Sequence, residues 1–437
     1  MQPALRAFAR YASLNVLGMI GLSCYILADT FFVARGLGAD GLTALNLAVP
    51  VYSFVHGSGL MLGMGGATRY AIRRSQGDQP GADTALTCAI WPAAVLAVCF
   101  VLAGLFLAGP IAALLGADAQ VFDMTRTYLG VILLFSPAFL LNDITICFVR
   151  NDGSPRLAML AMLGGSLSNV VLDYVFIFPC QMGIFGAVFA TGLAPCISLA
   201  ILSLHRRRAG FALRRRAFRL PVVGAVLSLG LPSLVTEFSS GIVMIVLNSI
   251  ILGLCGNTGV AAYGVIANLS LVVIAIFTGV AQGTQPLLSR AYGTGAHAEA
   301  GRFLRYAVRT VLVLAAAIYG VLIFFCTPLV GAFNGAGDAA LQAIAEGGLR
   351  LYFLGIPFAG CNIVLSFFFT STDRALPAHC ISLLRGLVLI VPAAFLLSAL
   401  FGLTGVWLAF PAAEAAVTLC GVLLLRRARA DTAPTAN

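Results

Sequence analysis

Five carboxylate side chains lie inside long apolar stretches of the sequence, where an ionisable group is costly to place. They are Asp29, Asp143, Asp173, Glu237 and Glu414. A charge in an apolar phase needs a proton, a cation or a polar partner, and at the centre of a bilayer it costs about 2.5–3.5 kcal/mol on insertion scales. These residues are therefore the first candidates for binding a proton, a metal cation or a cationic ligand.

Four polar residues of the first half are expected at a similar depth in the apolar stretches: Asp29, Asn169, Asp173 and Thr191. Residues four apart share one face of a helix, so Asn169 and Asp173 point the same way. Carboxylate, amide and hydroxyl oxygens together suit H+ or a hard cation such as Na+. The set predicts a cation-binding site, and the alternative is hydrogen bonding between helices that fixes their packing.

Glu237 and Asp143 each have two interpretations. Glu237 lies in mid-stretch among polar neighbours and is expected to hold a cationic substrate or a second proton, or to form a structural pair with Asn362. Asp143 is expected either in a ligand site or in an ion pair with Arg150 or Arg126. Both carboxylates are assigned to substrate binding, with these pairings left open.

The composition indicates a membrane protein. Of 437 residues 60% are hydrophobic and only 10% are charged, whereas a soluble domain carries about 25% charge. Mean hydropathy is +1.00. The long unbroken apolar runs predict helices, because the strands of a membrane barrel alternate in polarity over about ten residues. We therefore predict an all-α integral membrane fold.

Twelve apolar segments have the length of about 20 residues that a membrane crossing needs. We place the spans at 11–34, 44–70, 85–109, 122–148, 157–180, 184–205, 223–254, 260–288, 304–327, 340–370, 378–400 and 402–425.

The arginines give the expected orientation. The net charge is +10, and all 26 basic residues are Arg. With twelve spans, 22 of the 26 fall on the side that holds the N-terminus and only Arg35 falls on the other. Positive residues stay in the cytoplasm, so we expect a multi-pass protein of the bacterial inner membrane with both termini cytoplasmic. This distribution at span ends argues against a nucleic-acid partner.

The chain repeats itself at a steady offset of 218–220 residues. Gly65 matches Gly283 at 218, and Pro137 matches Pro357 at 220. Six spans per half is an even number, so the halves should be parallel and related by an axis along the membrane normal. We expect a six-helix lobe over 1–205, a cytoplasmic linker over 206–222 and a second six-helix lobe over 223–437.

The sequence resembles the multidrug and toxic compound extrusion (MATE) family over nearly its whole length, most closely its MepA-like or DinF-like bacterial branch. The segments that carry the resemblance are 28–33 (ADTFFV), 150–155 (RNDGSP), 168–173 (SNVVLD), 183–187 (GIFGA), 262–268 (AYGVIAN) and 279–286 (GVAQGTQP). The resemblance implies two six-helix lobes in a V around a central cavity. It also implies export of bulky, often cationic amphiphiles in exchange for H+ or Na+ by alternating access.

The resemblance also bears on the site residues. In related members a span-1 Asp, an Asn and an Asp of span 5 and a span-6 Thr form a cation site in the first lobe, and the same four residues stand here. A span-4 Tyr matches Tyr128. Other branches carry acidic residues later in span 7 and in span 10, which puts a cation site in the second lobe in doubt. The substrate-contacting set that we expect is Tyr128, Asp143, Glu237 and Asn362.

Other functions find less support in the residues. A flippase for lipid-linked precursors or polysaccharides, the alternative within the same superfamily, would want several Arg inside the cavity. An intramembrane enzyme is not expected, since metalloprotease and serine-hydrolase motifs are absent. The Gly-rich stretch 57–66 lacks the Lys of a phosphate loop and predicts close helix packing. We expect a monomer among membrane lipids with no cofactor and no resident metal, apart from Na+ at the cation-binding residues.

Overall fold

The long apolar segments form helices, which satisfy their backbone groups internally where no water is available. The computed structural model describes residues 3–207, 210–213, 218–334 and 337–430. Parts of the expected linker (208–209 and 214–217) and the last seven residues of the expected second lobe lie outside the described residues.

The first half contains six long helical segments. They are α1 (Pro3–Gly38), α2 (Asp40–Ser75), α3 (Gln79–Phe106), α4 (Phe122–Leu134 and Ser136–Asn151, bent by 49°), α5 (Pro155–Ile177) and α6 (Gly183–Leu202). A short helix, Ala108–Leu114, follows α3, and a 3-10 turn, Ser203–Arg207, follows α6.

The second half repeats this order. The continuous stretch Leu220–Gly293 divides at Gly256 into α7 (220–255) and α8 (257–293), and α9 is His297–Phe324. Then α10 is Ala339–Tyr352 and Ile356–Ser371, joined by a 3-10 turn. The last two are α11, which is Ala375–Leu383 continued through a π-helical turn, Leu384–Val388, to residue 401, and α12, 403–430. A short helix, Cys326–Phe333, follows α9.

The described helices make twelve crossings. Nine are long and apolar enough to cross a membrane, and the bent pair of α4 adds a tenth. Two of the nine, Leu220–Gly293 and Ala375–Ala428, are much longer than one crossing needs. Within the second, a methyl group added at Gly405 would lie 2.9 Å from the backbone nitrogen of Ser398, seven residues back, so the chain reverses near Gly402. The predicted twelve-span fold is confirmed.

The internal repeat extends to unusual backbone angles. Gly38 has φ 67° and ψ −157°, and Gly256, 218 residues later, has φ 64° and ψ −158°. Positive φ is the region that glycine occupies without steric cost, which explains why both turns between spans use it. The pairs Gly77 with Gly295 and Gly183 with Gly402 also share positive φ, at 79° and 73° and at 61° and 58°.

Breaks in α4 and α10 occupy matching places. Pro137 follows the 49° bend of α4, and Pro357 follows the 3-10 turn of α10. Each proline removes a backbone donor from the helix. These two predicted kinks are confirmed.

The hydrophobic core is divided between the halves. One cluster of buried residues is built from α7 to α12, joined by Phe8 and Ala12 of α1. Three further clusters are built from α1 to α6, joined by Val226 of α7. The beginnings of α1 and α7 thus pack across into the opposite half.

The halves meet on one side of the membrane. We call the side on which α1 begins and α12 ends the terminus side. There Gly65 of α2 abuts the backbone of α7, where an added methyl group would lie 2.9 Å from the carbonyl carbon of Val226. Its repeat partner Gly283 on α8 abuts α1, where an added methyl group would lie 2.6 Å from the Tyr11 carbonyl oxygen. The prediction that the Gly-rich stretch serves close packing is confirmed.

These contacts close the terminus side. They run from a ring contact between Phe54 and Phe238 (5.9 Å) in mid-span to an ion pair between Arg69 and Asp373 (3.6 Å). Among the described residues, the glycine contacts and hydrogen bonds that join the two halves all lie on the terminus side of Phe54 and Phe238.

Candidate functional site

Two carboxyl groups of the first half face each other inside the lobe. Asp29 of α1 is 8% exposed and Asp173 of α5 is fully buried. Their side chains are close enough to share a hydrogen bond. A hydrogen bond between two carboxyl groups requires a proton on one of them, because an ionised carboxylate only accepts. The pair is therefore built to hold at least one proton or another cation.

Asn169 and Thr191 complete this group. In the orientation that satisfies both ends of its amide, Asn169 donates to Asp173 Oδ2 at 3.0 Å and accepts from the Thr191 backbone nitrogen at 3.2 Å. Thr191 donates its hydroxyl to the Ala187 carbonyl at 3.1 Å within α6. The four residues expected at one depth do come together, carried by α1, α5 and α6.

The site also offers buried oxygens for a ligand. Asp29 Oδ1 and Asp173 Oδ1 have no hydrogen-bond partner among the described residues, although both atoms are buried. Buried acceptors without a donor are costly, so a proton or a hard cation would stabilise them. Tyr128 of α4 lies beside them and its hydroxyl contacts Thr191. The structure therefore places Tyr128 with the cation-binding residues and not with Asp143 and Glu237.

A second polar cluster lies where the halves meet. His56 of α2 approaches Asp143 of α4, with 2.9 Å between Nδ1 and Oδ2. Glu237 of α7 reaches the same place, because an added methyl group at Gly57 would lie 3.1 Å from the Glu237 Cβ. Glu237 also interacts electrostatically with both His56 and Asp143. We call His56, Asp143 and Glu237 the interface cluster.

The predicted alternative that Asp143 pairs with Arg150 is wrong. The Arg150 guanidinium is 1% exposed and donates to Asn15 of α1 at 2.8 Å and to Gln282 of α8. Because α1 and α8 belong to different halves, Arg150 ties the halves together at the terminus side. Asp143 is left to His56.

Asn362 lies apart from the interface cluster. It is fully buried in α10 and donates to Glu414 Oε2 of α12 at 2.7 Å. Glu414 also accepts from Arg385 Nε of α11 at 2.6 Å. The predicted pairing of Glu237 with Asn362 is therefore wrong, and the structure does not bring Asn362 to Tyr128, Asp143 or Glu237. Arg385 supplies the positive charge in the second half.

Comparison with known families explains the duplicated fold. The MatE family model matches residues 16–175 and again 232–396, which together make up well over half of the chain. The chain belongs to the MATE family. The two matches fall on the two repeated halves of this MATE protein, one on each.

Curated relatives of this MATE chain carry names from drug export. It is 24% identical over 405 residues to the multidrug export protein MepA of Staphylococcus saprophyticus, covering 92% of this chain and 89% of that protein. It is 23% identical over 431 residues to MepA of Staphylococcus aureus strain MRSA252, covering 97% and 94%.

Solved MATE structures share the fold. A crystal structure of MATE in complex with MaL6 superimposes with a TM-score of 0.91 at 24% identity, covering 98% of this chain and 96% of that one. A multidrug resistance MATE transporter described as outward-facing gives a TM-score of 0.90 at the same identity and coverage. A MOP superfamily transporter from Pyrococcus furiosus gives 0.91, also at 24% identity with 98% and 96% coverage.

Sequence reasoning missed three residues of the MATE chain's polar interior. His56 belongs to the interface cluster, and Tyr25 and Tyr52 join it to the carboxyl pair through a 3.0 Å contact between their hydroxyls. The Tyr52 ring stacks on the His56 imidazole at 5.9 Å and 3°. A signal was available for His56, because an ionisable residue within a span marks a candidate functional position. Its contact with Asp143, 87 residues away, has no sequence signature.

Proposed function

We propose that this MATE protein is a secondary active multidrug exporter, which moves bulky and often cationic amphiphiles outward in exchange for H+ or Na+. The observation that carries the proposal is the buried pair Asp29 and Asp173, whose shared hydrogen bond needs a proton and whose outer oxygens have no donor. Asn169 and Thr191 supply the remaining oxygens of this cation site. The names of the MepA relatives support drug export as the activity.

Alternating access follows from contacts made on one side only. A transporter with two related halves works by rocking them about a central site. With the terminus side closed by Gly65, Gly283 and Arg150, the described arrangement corresponds to a state open toward the opposite side. Asp143 and Glu237 lie near the closed end of that opening, which supports a role for both in contacting substrate.

The lobes of the proposal are 1–205 and 223–437, with residues 206–222 as linker. The terminus side is the cytoplasmic face, because 22 of the 26 Arg fall there, and the protein is a monomer of the bacterial inner membrane. In a variant without native cysteines, a membrane-impermeant maleimide added to intact cells should label Thr258→Cys and not Ala212→Cys. Labelling of Ala212→Cys and not Thr258→Cys would reverse the orientation.

The test of the function is transport in proteoliposomes with the two gradients imposed separately. We expect a pH or a Na+ gradient to drive tetraphenylphosphonium movement in the wild type. Asp29→Asn and Asp173→Asn should abolish driven transport because the site then cannot exchange its cation. Asp123→Asn removes an exposed carboxylate at the start of α4 and should transport normally. Full driven transport by Asp29→Asn would refute the proposed cation site.

A further inference from the structure

The interface cluster combines one imidazole with two carboxylates from three helices of both halves. His56 Nδ1 lies 2.9 Å from Asp143 Oδ2, and Glu237 interacts with both residues from α7. The His56 side chain is 17% exposed and that of Asp143 is 7% exposed. The cluster is thus shielded from the membrane but not sealed, and a ligand in the cleft between the halves has access to it.

The surroundings of His56 hold it against its partners. Gly59 lets α4 approach, since an added methyl group there would lie 3.0 Å from the Asp143 Cβ. The Tyr52 ring stacks on the other face of the imidazole. The titratable groups that face His56 are Asp143 from α4, Glu237 from α7 and Tyr52 from its own helix. The positions of Tyr52 and Asp143 fix one imidazole nitrogen on the carboxylate.

The charge of the cluster depends on one proton. With His56 protonated, the His56–Asp143 pair is internally neutralised. With His56 neutral, Asp143 loses its positive partner and offers a full charge to any cation nearby. Unlike charges in a shielded environment attract strongly, and a site that loses its internal cation is left unsatisfied. A proton on His56 and a cationic ligand therefore compete for the same carboxylate.

We propose that the interface cluster is a proton-for-organic-cation exchange site. A monovalent amphiphilic cation binds Asp143 and Glu237 when His56 is neutral. One proton arriving from the open side then protonates His56, which takes Asp143 as its partner and displaces the cation. Each exchange consumes one proton and releases one organic cation. The inference rests on the proposed export function and defines its substrate as a cation, at a site separate from Asp29 and Asp173.

The described arrangement fits the state after release. The halves are closed on the terminus side, and the contact between His56 and Asp143 is already formed. In that state no positive charge on a substrate is needed at Asp143. The return step would open the terminus side, where an incoming organic cation displaces the His56 proton.

The test is to count protons when tetraphenylphosphonium binds the purified protein in detergent. Calorimetry in buffers of different ionisation enthalpy reports protons released per ligand bound. We expect the wild type to release about one proton at a pH where His56 is charged, and its affinity to rise about tenfold per pH unit in that range. His56→Asn should release none and bind independently of pH. The matched control His297→Asn, in the loop before α9, should behave as wild type.

Two further measurements keep the outcome decisive. Triphenylphosphine oxide, a neutral analogue, should bind without proton release, and equal release by both ligands would refute selection of charge. If His56→Asn does not fold, Asp143→Asn and Glu237→Gln serve instead, and each should weaken tetraphenylphosphonium binding by roughly five- to 150-fold while leaving the neutral analogue unaffected.

The experiment separates this inference from the proposed function. If Asp173→Asn abolishes proton release while His56→Asn retains it, the exchange belongs to the carboxyl pair and the inference is wrong. If release depends on His56 but no gradient drives transport in proteoliposomes, the proposed export function fails and the cation site remains. With Asp173→Asn we expect driven transport to be lost while binding-linked proton release persists.

Discussion

The closeness of α2 and α7 on the terminus side predicts a large effect from a single methyl group. Gly230 of α7 packs on Met61 of α2, and an added Cβ would overlap the Met61 carbonyl group and lie 2.9 Å from its Cα. Ordinary contacts begin at 3.4 Å, and these neighbours are backbone atoms that cannot rotate away. Gly230→Ala should therefore force the two halves apart on the side where they are closed.

The expected size follows from the cost of overpacking. A helix separation that grows by even 0.5–1 Å forfeits a quarter to a half of the contact energy at the interface. Inserting a carbon into a packed contact costs about 1–3 kcal/mol. Because about 1.4 kcal/mol corresponds to a tenfold change, Gly230→Ala should shift the population toward states open on the terminus side by roughly five- to 150-fold.

The measurement is a distance between spin labels on the terminus side, one in each half. Arg156→Cys and Leu376→Cys are exposed and occupy matching places in the two repeats. We expect the distance distribution in detergent to move to longer values with Gly230→Ala, and likewise with Gly65→Ala. The matched control is Gly224→Ala on the same helix, which has nothing within 4 Å. Identical distributions for Gly230→Ala and Gly224→Ala would show that this contact does not control the conformation.

Two other contacts yield predictions about stability and order. Arg385→Gln leaves the buried Glu414 without its cation, so the thermal unfolding temperature in detergent should fall, by about 3–5 kcal/mol in stability, and adding Glu414→Gln should restore most of it. An unchanged melting temperature for Arg385→Gln would mean that the pair contributes no net stability. Asp152 accepts hydrogen bonds from the Tyr70 hydroxyl at 2.6 Å and from the Gly210 backbone nitrogen at 2.7 Å, which anchors the linker. Asp152→Asn should therefore speed tryptic cleavage after Arg206 by roughly fivefold or more, and an unchanged cleavage rate would contradict this anchoring.

Much of the architecture was predictable from the sequence because it depends on local chemistry. Apolar length determines where a chain crosses the membrane, so the twelve spans were placed to within a few residues. The repeated glycines were also visible, since positions such as Gly38 and Gly256 need a positive φ that few other residues adopt. Asn169 and Asp173 were grouped correctly because helical periodicity sets the face that residues four apart share.

The partners of the buried charges were decided by the tertiary structure alone. Periodicity and depth place Asp143 on a helix face, but which helix faces it depends on how six helices rotate and pack. His56, 87 residues away, is brought to Asp143 by the glycines of α2, while Arg150 turns to Gln282 in the other half. In the same way Arg385 reaches Glu414 from the helix that contains the π-helical turn. Long-range packing thus determines whether a carboxylate is neutralised within the protein or left to bind a cation.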